Sequence, residues 1–172
     1  LTAHLLQANQ FGLSNAPADG LFTPAKMKQA AENAMRSADK EWGGFGRAPK
    51  FPQTFTIRFL LRYDHLFGHP EGKEQALLSI DKMCNGGLYD QMGGGFARYS
   101  TDTEWLVPHF EKMLYDNALL VSVISEAYQI TGKRMYMDVM NDTISFVQRE
   151  LMHPDGGFYA ALDDDSEGVE GK

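Results

Sequence analysis

Residues 86–120 read GGLYDQMGGGFARYSTDTEWLVPHFEKMLYDNALL, and the change of texture along them decides the fold. The first half is rich in glycine and polar groups. The second half enters a run containing Leu119, Leu120, Val121, Val123, Ile124 and Ala127, apolar over most of a helical circumference, as in a helix enclosed by other helices. The spacing predicts a helix over residues 109–130, stopped by Gly132. Outward from it, apolar positions keep to helical spacing in residues 24–40, 53–67, 71–85 and 133–151, with a further short helix over 1–11. Thr23 is the expected N-cap of the 24–40 helix, with Pro24 at its first position. The chain is therefore all-α.

The connections alternate in length. Those at 68–70 and 131–132 are tight, whereas 42–52, 86–108 and the stretch from 152 onward are long and hold most of the 17 glycines. Gly44-Phe45, Gly95-Phe96 and Gly157-Phe158 recur 51 and 62 residues apart, a spacing that suits one helical hairpin per repeat. If successive helices run in opposite directions, the three long loops emerge at one end. Two of them lead into helices whose unpaired N–H groups and dipoles favour anions and polar oxygens. The expected architecture is a layered ring, with broadly apolar helices inside, one-faced helices outside and short β-hairpins in the glycine-rich loops.

Composition narrows the function. The 172 residues carry 43% hydrophobic and 23% charged side chains, the profile of a globular chain forming a single domain over 1–172. No apolar run approaches the ~18 residues of a membrane span. The net charge of −7 argues against a nucleic-acid partner, whose phosphates need a basic face. One cysteine, Cys84, permits neither an internal disulfide nor a dithiol centre. With no leader segment, the expected location is cytoplasmic. The start at Leu1 and the stop at Lys172 suggest a piece of a longer protein.

Three constellations carry the candidate chemistry. In the first, residues 108–117, His109 is the natural proton-transfer group. Glu111 or Asp116 would orient it, with Tyr115 alongside. In the second, residues 86–105, the glycine spacing fits neither a phosphate loop nor a dinucleotide fingerprint. Its Asp90, Arg98, Tyr99, Asp102 and Trp105 offer a cation, carboxylates and aromatic faces suited to a polyhydroxylated ligand. In the third, Asp163 and Asp165 supply paired carboxylates that can share acid and base roles. Their loop imitates the start of a calcium site, but its flanks read as strand and turn and the chain ends before a last ligand. Trp42 and Lys50, on the first loop, would complete the ligand contacts. No Cys/His spacing suggests zinc. No metal or cofactor is expected, and the remaining histidines read as surface or capping residues.

EWGGFGRAPKFP at 41–52, the quoted 86–120 stretch and GGFYAALDDDSEG at 156–168 together resemble the YyaL-like family that includes spermatogenesis-associated protein 20. Departures are Ala97, where the family often has His, and Asp164, where it usually has Ala. The resemblance implies a thioredoxin-like domain followed by a six-hairpin (α/α)6 toroid of the six-hairpin glycosidase type, this chain being the early part of the toroid. It further implies a carbohydrate pocket, with His109, Glu111, Asp163 and Asp165 in acid and base roles in an epimerase, isomerase or glycoside hydrolase. The alternative is a non-catalytic module that positions the thioredoxin-like domain on a client. An incomplete ring would also expose apolar faces able to pair with a second copy.

Overall fold

The computed structural model describes residues 23–163, 165–166 and 169–170, and the chain divides into two compact units, Leu1–Ala30 and Ala31–Lys172. The helix expected over 1–11, His4, Asp164 and the end of the acidic loop lie outside the described residues. Helix α1 spans Pro24–Arg36. The Thr23 hydroxyl accepts the Lys26 N–H at 3.2 Å, with Pro24 at the first helical position, as the sequence predicts.

In the second unit, α2 (Thr54–Phe67) and α3 (Pro70–Asn85) form one hairpin, and α4 (Leu114–Thr131) and α5 (Arg134–Phe146) another. Helix α2 also packs on α4. The hairpins meet a second time where Asp81 on α3 accepts the Tyr136 hydroxyl of α5 at 2.7 Å and the Lys133 ammonium at 2.5 Å. Ile57, Leu60, Leu61, Ile80, Met83, Leu120, Ile124, Tyr136 and Phe146 are buried between them. The tight connections end α2 at Gly68 and α4 at Gly132, whose N–H groups close on Asp64 O and Tyr128 O. His69, read as a capping histidine, accepts the Gly72 N–H through Nδ1 at 3.0 Å. Among the described residues no helix is long and apolar enough to cross a membrane.

Three helical expectations need correction. The first helix stops at Arg36 rather than near 40. Helix α5 gives way at Val147–Leu151 to a π-helical turn. The helix expected from 109 begins at Leu114, so His109 and Glu111 precede it while Tyr115 and Asp116 stand on its first turn. Pro108–His109 (β2) instead pairs antiparallel with Tyr99–Ser100 (β1), and Lys112–Met113 (β3) with Ala161–Leu162 (β4). The Leu114 N–H is taken by Ala160 O at 2.9 Å. Backbone groups satisfied by neighbouring strands leave no drive for another helical turn. A last hairpin joins Asp165–Ser166 (β5) to Val169–Glu170 (β6).

The expected loop cluster is present. Lys50 and Ser100 exchange backbone hydrogen bonds at 2.8 and 2.9 Å, joining the first loop to the second. The β3–β4 pair joins the second to the third. The glycine-phenylalanine repeat has a common geometry as well. Phe45, Phe96 and Phe158 form bridges with Ala38, Tyr89 and Met152. The residues after those partners, Asp39, Asp90 and His153, donate their N–H groups to Gly44 O, Gly95 O and Gly157 O.

Candidate functional site

Two of these turns are locked by the same device. Asp39 Oδ1 accepts the N–H groups of Glu41 and Trp42 while Oδ2 accepts Lys50 Nζ at 2.7 Å. Asp90 Oδ1 accepts those of Met92 and Gly93 while Oδ2 accepts Lys112 Nζ at 2.8 Å. Each lysine also donates to a loop carbonyl, Thr103 O or Gly94 O. A buried amide pins each turn to a helix: Gln75 reaches Asp39 O and Gly44 O, and Asn117 holds both the N–H and the carbonyl of Phe96.

These locks reassign several residues expected at the ligand. Lys50 and Trp105 are fully buried. Lys50 Nζ lies 5.1 Å from the Trp105 ring centroid, and the Trp105 indole N–H donates to Trp42 O at 2.8 Å. Both residues hold the first loop against the second, because an enclosed ammonium has to be paired where it sits. One face of the Trp42 ring is covered by Lys82 Nζ at 4.3 Å. Asp102 is taken up by the N–H groups of Glu104, Leu106 and Val107 and by the Ser100 hydroxyl. Asp90 belongs to the second lock.

The other candidates converge. Strand pairing sets Tyr99 opposite His109, and their rings stack with centroids 4.7 Å apart at 19°. Phe51 adds a third ring 4.9 Å from Tyr99. Phe51 was missed by sequence reasoning; its only signal is its place between Lys50 and Pro52 at the entry to α2. One step along the ribbon, the Arg98 N–H donates to Glu111 O at 2.8 Å, and Arg98 Nη1 donates to Glu111 Oε2 at 2.9 Å. The first turn of α4 brings Tyr115 and Asp116 to this pair. Leu162 pairs with Lys112, so Asp163 follows directly on the strand beside Glu111. Asp165 is exposed in the β5 hairpin.

Burial drives the Asp116 carboxyl upward; the Tyr115 hydroxyl and Arg98 pull it down and Glu111 pushes it up, leaving it at about 6. Among the described residues, Asp116 Oδ2 and Arg98 Nε are enclosed without a hydrogen-bond partner. The cluster thus contains one carboxylate tied to a guanidinium and a second carboxyl poised to exchange a proton near neutral pH, the pattern of sites that divide acid and base duties. Among the described residues, no group of three or more His, Cys, Asp or Glu side chains could hold a metal ion.

Comparison with known proteins gives this geometry a context. No protein-family model matches the chain. Spermatogenesis-associated protein 20 of Mus musculus and that of Homo sapiens are each 47% identical to it over 132 residues, which is 74% of this chain and 17% of theirs. The chain is a homologue of spermatogenesis-associated protein 20. It spans about a sixth of the length of these relatives. Among solved structures, the homologue superposes on a sugar epimerase from a ruminal bacterium with a TM-score of 0.69 and 16% identity, covering 81% of this chain and 40% of that one. The cellobiose 2-epimerase of Spirochaeta thermophila DSM 6192 gives 0.67 and 18%, with 81% and 40% covered. The fold is accordingly that of an (α/α)6 toroid, of which this chain forms a part.

Proposed function

We propose that the loop-bearing end of this chain is the sugar site of a carbohydrate-active enzyme of epimerase, isomerase or glycoside hydrolase type. The observation that carries the reading is the Arg98–Glu111 ion pair beside an Asp116 carboxyl held near 6, on ground where all three glycine-rich loops meet. Sugar isomerisation needs one group to take a proton from carbon and one to return it, and glycoside hydrolysis needs two carboxyl groups in different protonation states. His109 and Glu111 serve as the acid and base pair, with Asp116 as the neighbouring carboxyl that can take up or release the proton and Asp163 and Asp165 as alternates from the third loop. Arg98, Tyr99, Tyr115 and Asp116 hold the ring hydroxyls. The likeness to solved sugar epimerases supports the substrate class.

The test is a panel of neutral mono- and disaccharides offered to the full-length protein in a thermal-shift screen, with any stabilising sugar then followed by NMR for isomerised or cleaved product. Stabilisation lost in His109→Ala and Glu111→Gln is the expected result. Stabilisation by none of the sugars overturns the reading.

One observation favours a second reading, a non-catalytic module that positions a thioredoxin-like domain. Met92, Leu106 and Phe110 on the second loop are 99%, 65% and 65% exposed, more apolar surface than a sugar site requires. Under that reading, a separately expressed thioredoxin-like domain of the same protein would bind this loop, and Phe110→Ser would abolish the binding.

A further inference from the structure

We infer that the ligand taken by this cluster is an uncharged polyhydroxylated molecule, and that the cluster turns away sugars carrying phosphate or carboxylate. The inference rests on the sugar-site reading above and adds the ligand's charge. Among the described residues, the lysines and arginines of the strands that build the cluster, of the chain entering α2 and of α2 itself are already matched. Arg98 is held by Glu111, Lys112 by Asp90, Lys50 by Asp39, and Arg58 and Arg62 both by Glu126. Arg36 and Arg47 line a different cleft of about 560 Å³, with Trp42 and Thr103, which shares no lining residue with the cluster. Asp116 is then a carboxyl without a cation of its own. Once ionised, it places a negative charge where an anionic ligand would have to sit, in surroundings that screen it less than water.

Hydrogen-bonding capacity points the same way. The Arg98 side chain is 40% exposed, its Nε–H is, among the described residues, an enclosed donor without a partner, and Asp116, whose charge it feels, carries an enclosed acceptor without one, Oδ2. The Tyr115 hydroxyl lies within reach of both Arg98 and Asp116. A sugar hydroxyl donates and accepts at once and satisfies this mixed set. An ionised phosphate or carboxylate only accepts, and would leave the Asp116 oxygen facing like charge.

The experiment uses the full-length protein and three probes sharing one ring: glucose, glucose 6-phosphate and glucuronate, titrated by calorimetry or ligand-observed NMR at pH 7.5 and pH 5.0. The expected result is glucose binding at least tenfold tighter than either anion at pH 7.5, with the gap narrowing at pH 5.0 as Asp116 takes up its proton, and narrowing equally in His109→Ala, which removes the cluster's imidazole as a source of the change. Asp116→Asn should narrow the gap at pH 7.5. Glu111→Gln, which releases Arg98, should shift preference toward the anions by about tenfold or more. Anions binding as tightly as glucose in the wild-type protein, or a gap unchanged in both variants, would overturn the inference while leaving a sugar site in place. Binding by none of the three probes, in a protein that also fails the wider neutral panel, removes the sugar-site reading and this inference with it.

Discussion

The turns that begin at Asp39 and Asp90 are built from the same parts, yet they sit in different amounts of water. In both, one carboxylate oxygen caps two backbone N–H groups and the other takes a lysine. Lys50 is 0% exposed and Asp39 19%, against 13% for Lys112 and 39% for Asp90. The first lock is sealed between two loops beneath Trp105. The second stands beside Glu111, at the proposed site. The third turn has His153 where the others have aspartate, and its Gly156, Gly157 and Phe158 are exposed. One turn design therefore does two jobs: a closed copy fixes the loops relative to one another, and an opened copy carries the strand that presents Glu111.

Removing each lysine should break the symmetry of the locks. Lys50→Met strands the Asp39 carboxylate and the Thr103 carbonyl in a dry setting and should cost about 3–5 kcal/mol, whereas Lys112→Met, with water able to reach Asp90, should cost about 1–2 kcal/mol. Urea unfolding of the two variants measures the difference, and equal losses would show that enclosure does not set the worth of the lock. The glycines give a second contrast. A Cβ on Gly44, at φ +72°, would stand 2.5 Å from Trp105 Cζ2 and 2.9 Å from Lys50 Cε, while one on Gly157, at φ +81°, would meet nothing within 4 Å. Gly44→Ala should cost about 3 kcal/mol from strain plus overpacking, and Gly157→Ala about 1 kcal/mol from strain alone.

Asp116 sharpens the comparison because its carboxyl is displaced in the opposite direction from those of the locks. A carboxyl raised from 3.8 to about 6 binds a proton in the folded chain that the unfolded chain releases, so stability falls as pH rises through that interval, by roughly 2–3 kcal/mol. Asp116→Asn should flatten this decline and leave the variant more stable than wild type at pH 7.5. Melting temperatures across pH 4–8 report it, and a variant that tracks wild type would return Asp116 to ordinary titration.

Much of this architecture can be read from periodicity and punctuation. The segments 53–67 and 71–85 match α2 and α3 to within a residue because apolar spacing and the Gly68-His69-Pro70 break act locally. The recurrent Gly-Phe pair marked the repeat, and alternating loop lengths placed the loops at one end. What failed depends on partners distant in sequence. Nothing near His109 announces that its backbone pairs with Tyr99, or that Lys112 pairs with Leu162, so an amphipathic run was extended one turn too far. Lys50 reads as a ligand-binding cation because its neutralising Asp39 lies on the far side of a glycine turn. Of the candidate site, the Arg98, Glu111 and Asp116 group was visible as residue types, but the pairing of Arg98 with Glu111, which leaves Asp116 without an ion-pair partner among the described residues, was not.

The smallest expected effect concerns Asp90. Burial works to raise its carboxyl, but the Gly93 N–H, the Lys112 ammonium and the Met92 N–H outweigh burial and bring it to about 2. A depressed carboxylate stabilises the fold above its ordinary value of 3.8 and loses that contribution as pH falls toward 2. Asp90→Asn keeps an oxygen for the two N–H groups and removes only the charge offered to Lys112, a partly solvated pair worth about 1 kcal/mol. The variant should be less stable than wild type by that amount at pH 7 and converge with it near pH 2. Asp39→Asn should show a larger gap at pH 7, because its lysine is sealed from water and keeps only the neutral Thr103 carbonyl and the substituted amide as acceptors. Acid unfolding curves of the two variants that coincide would mean that the closed and open locks are energetically the same turn.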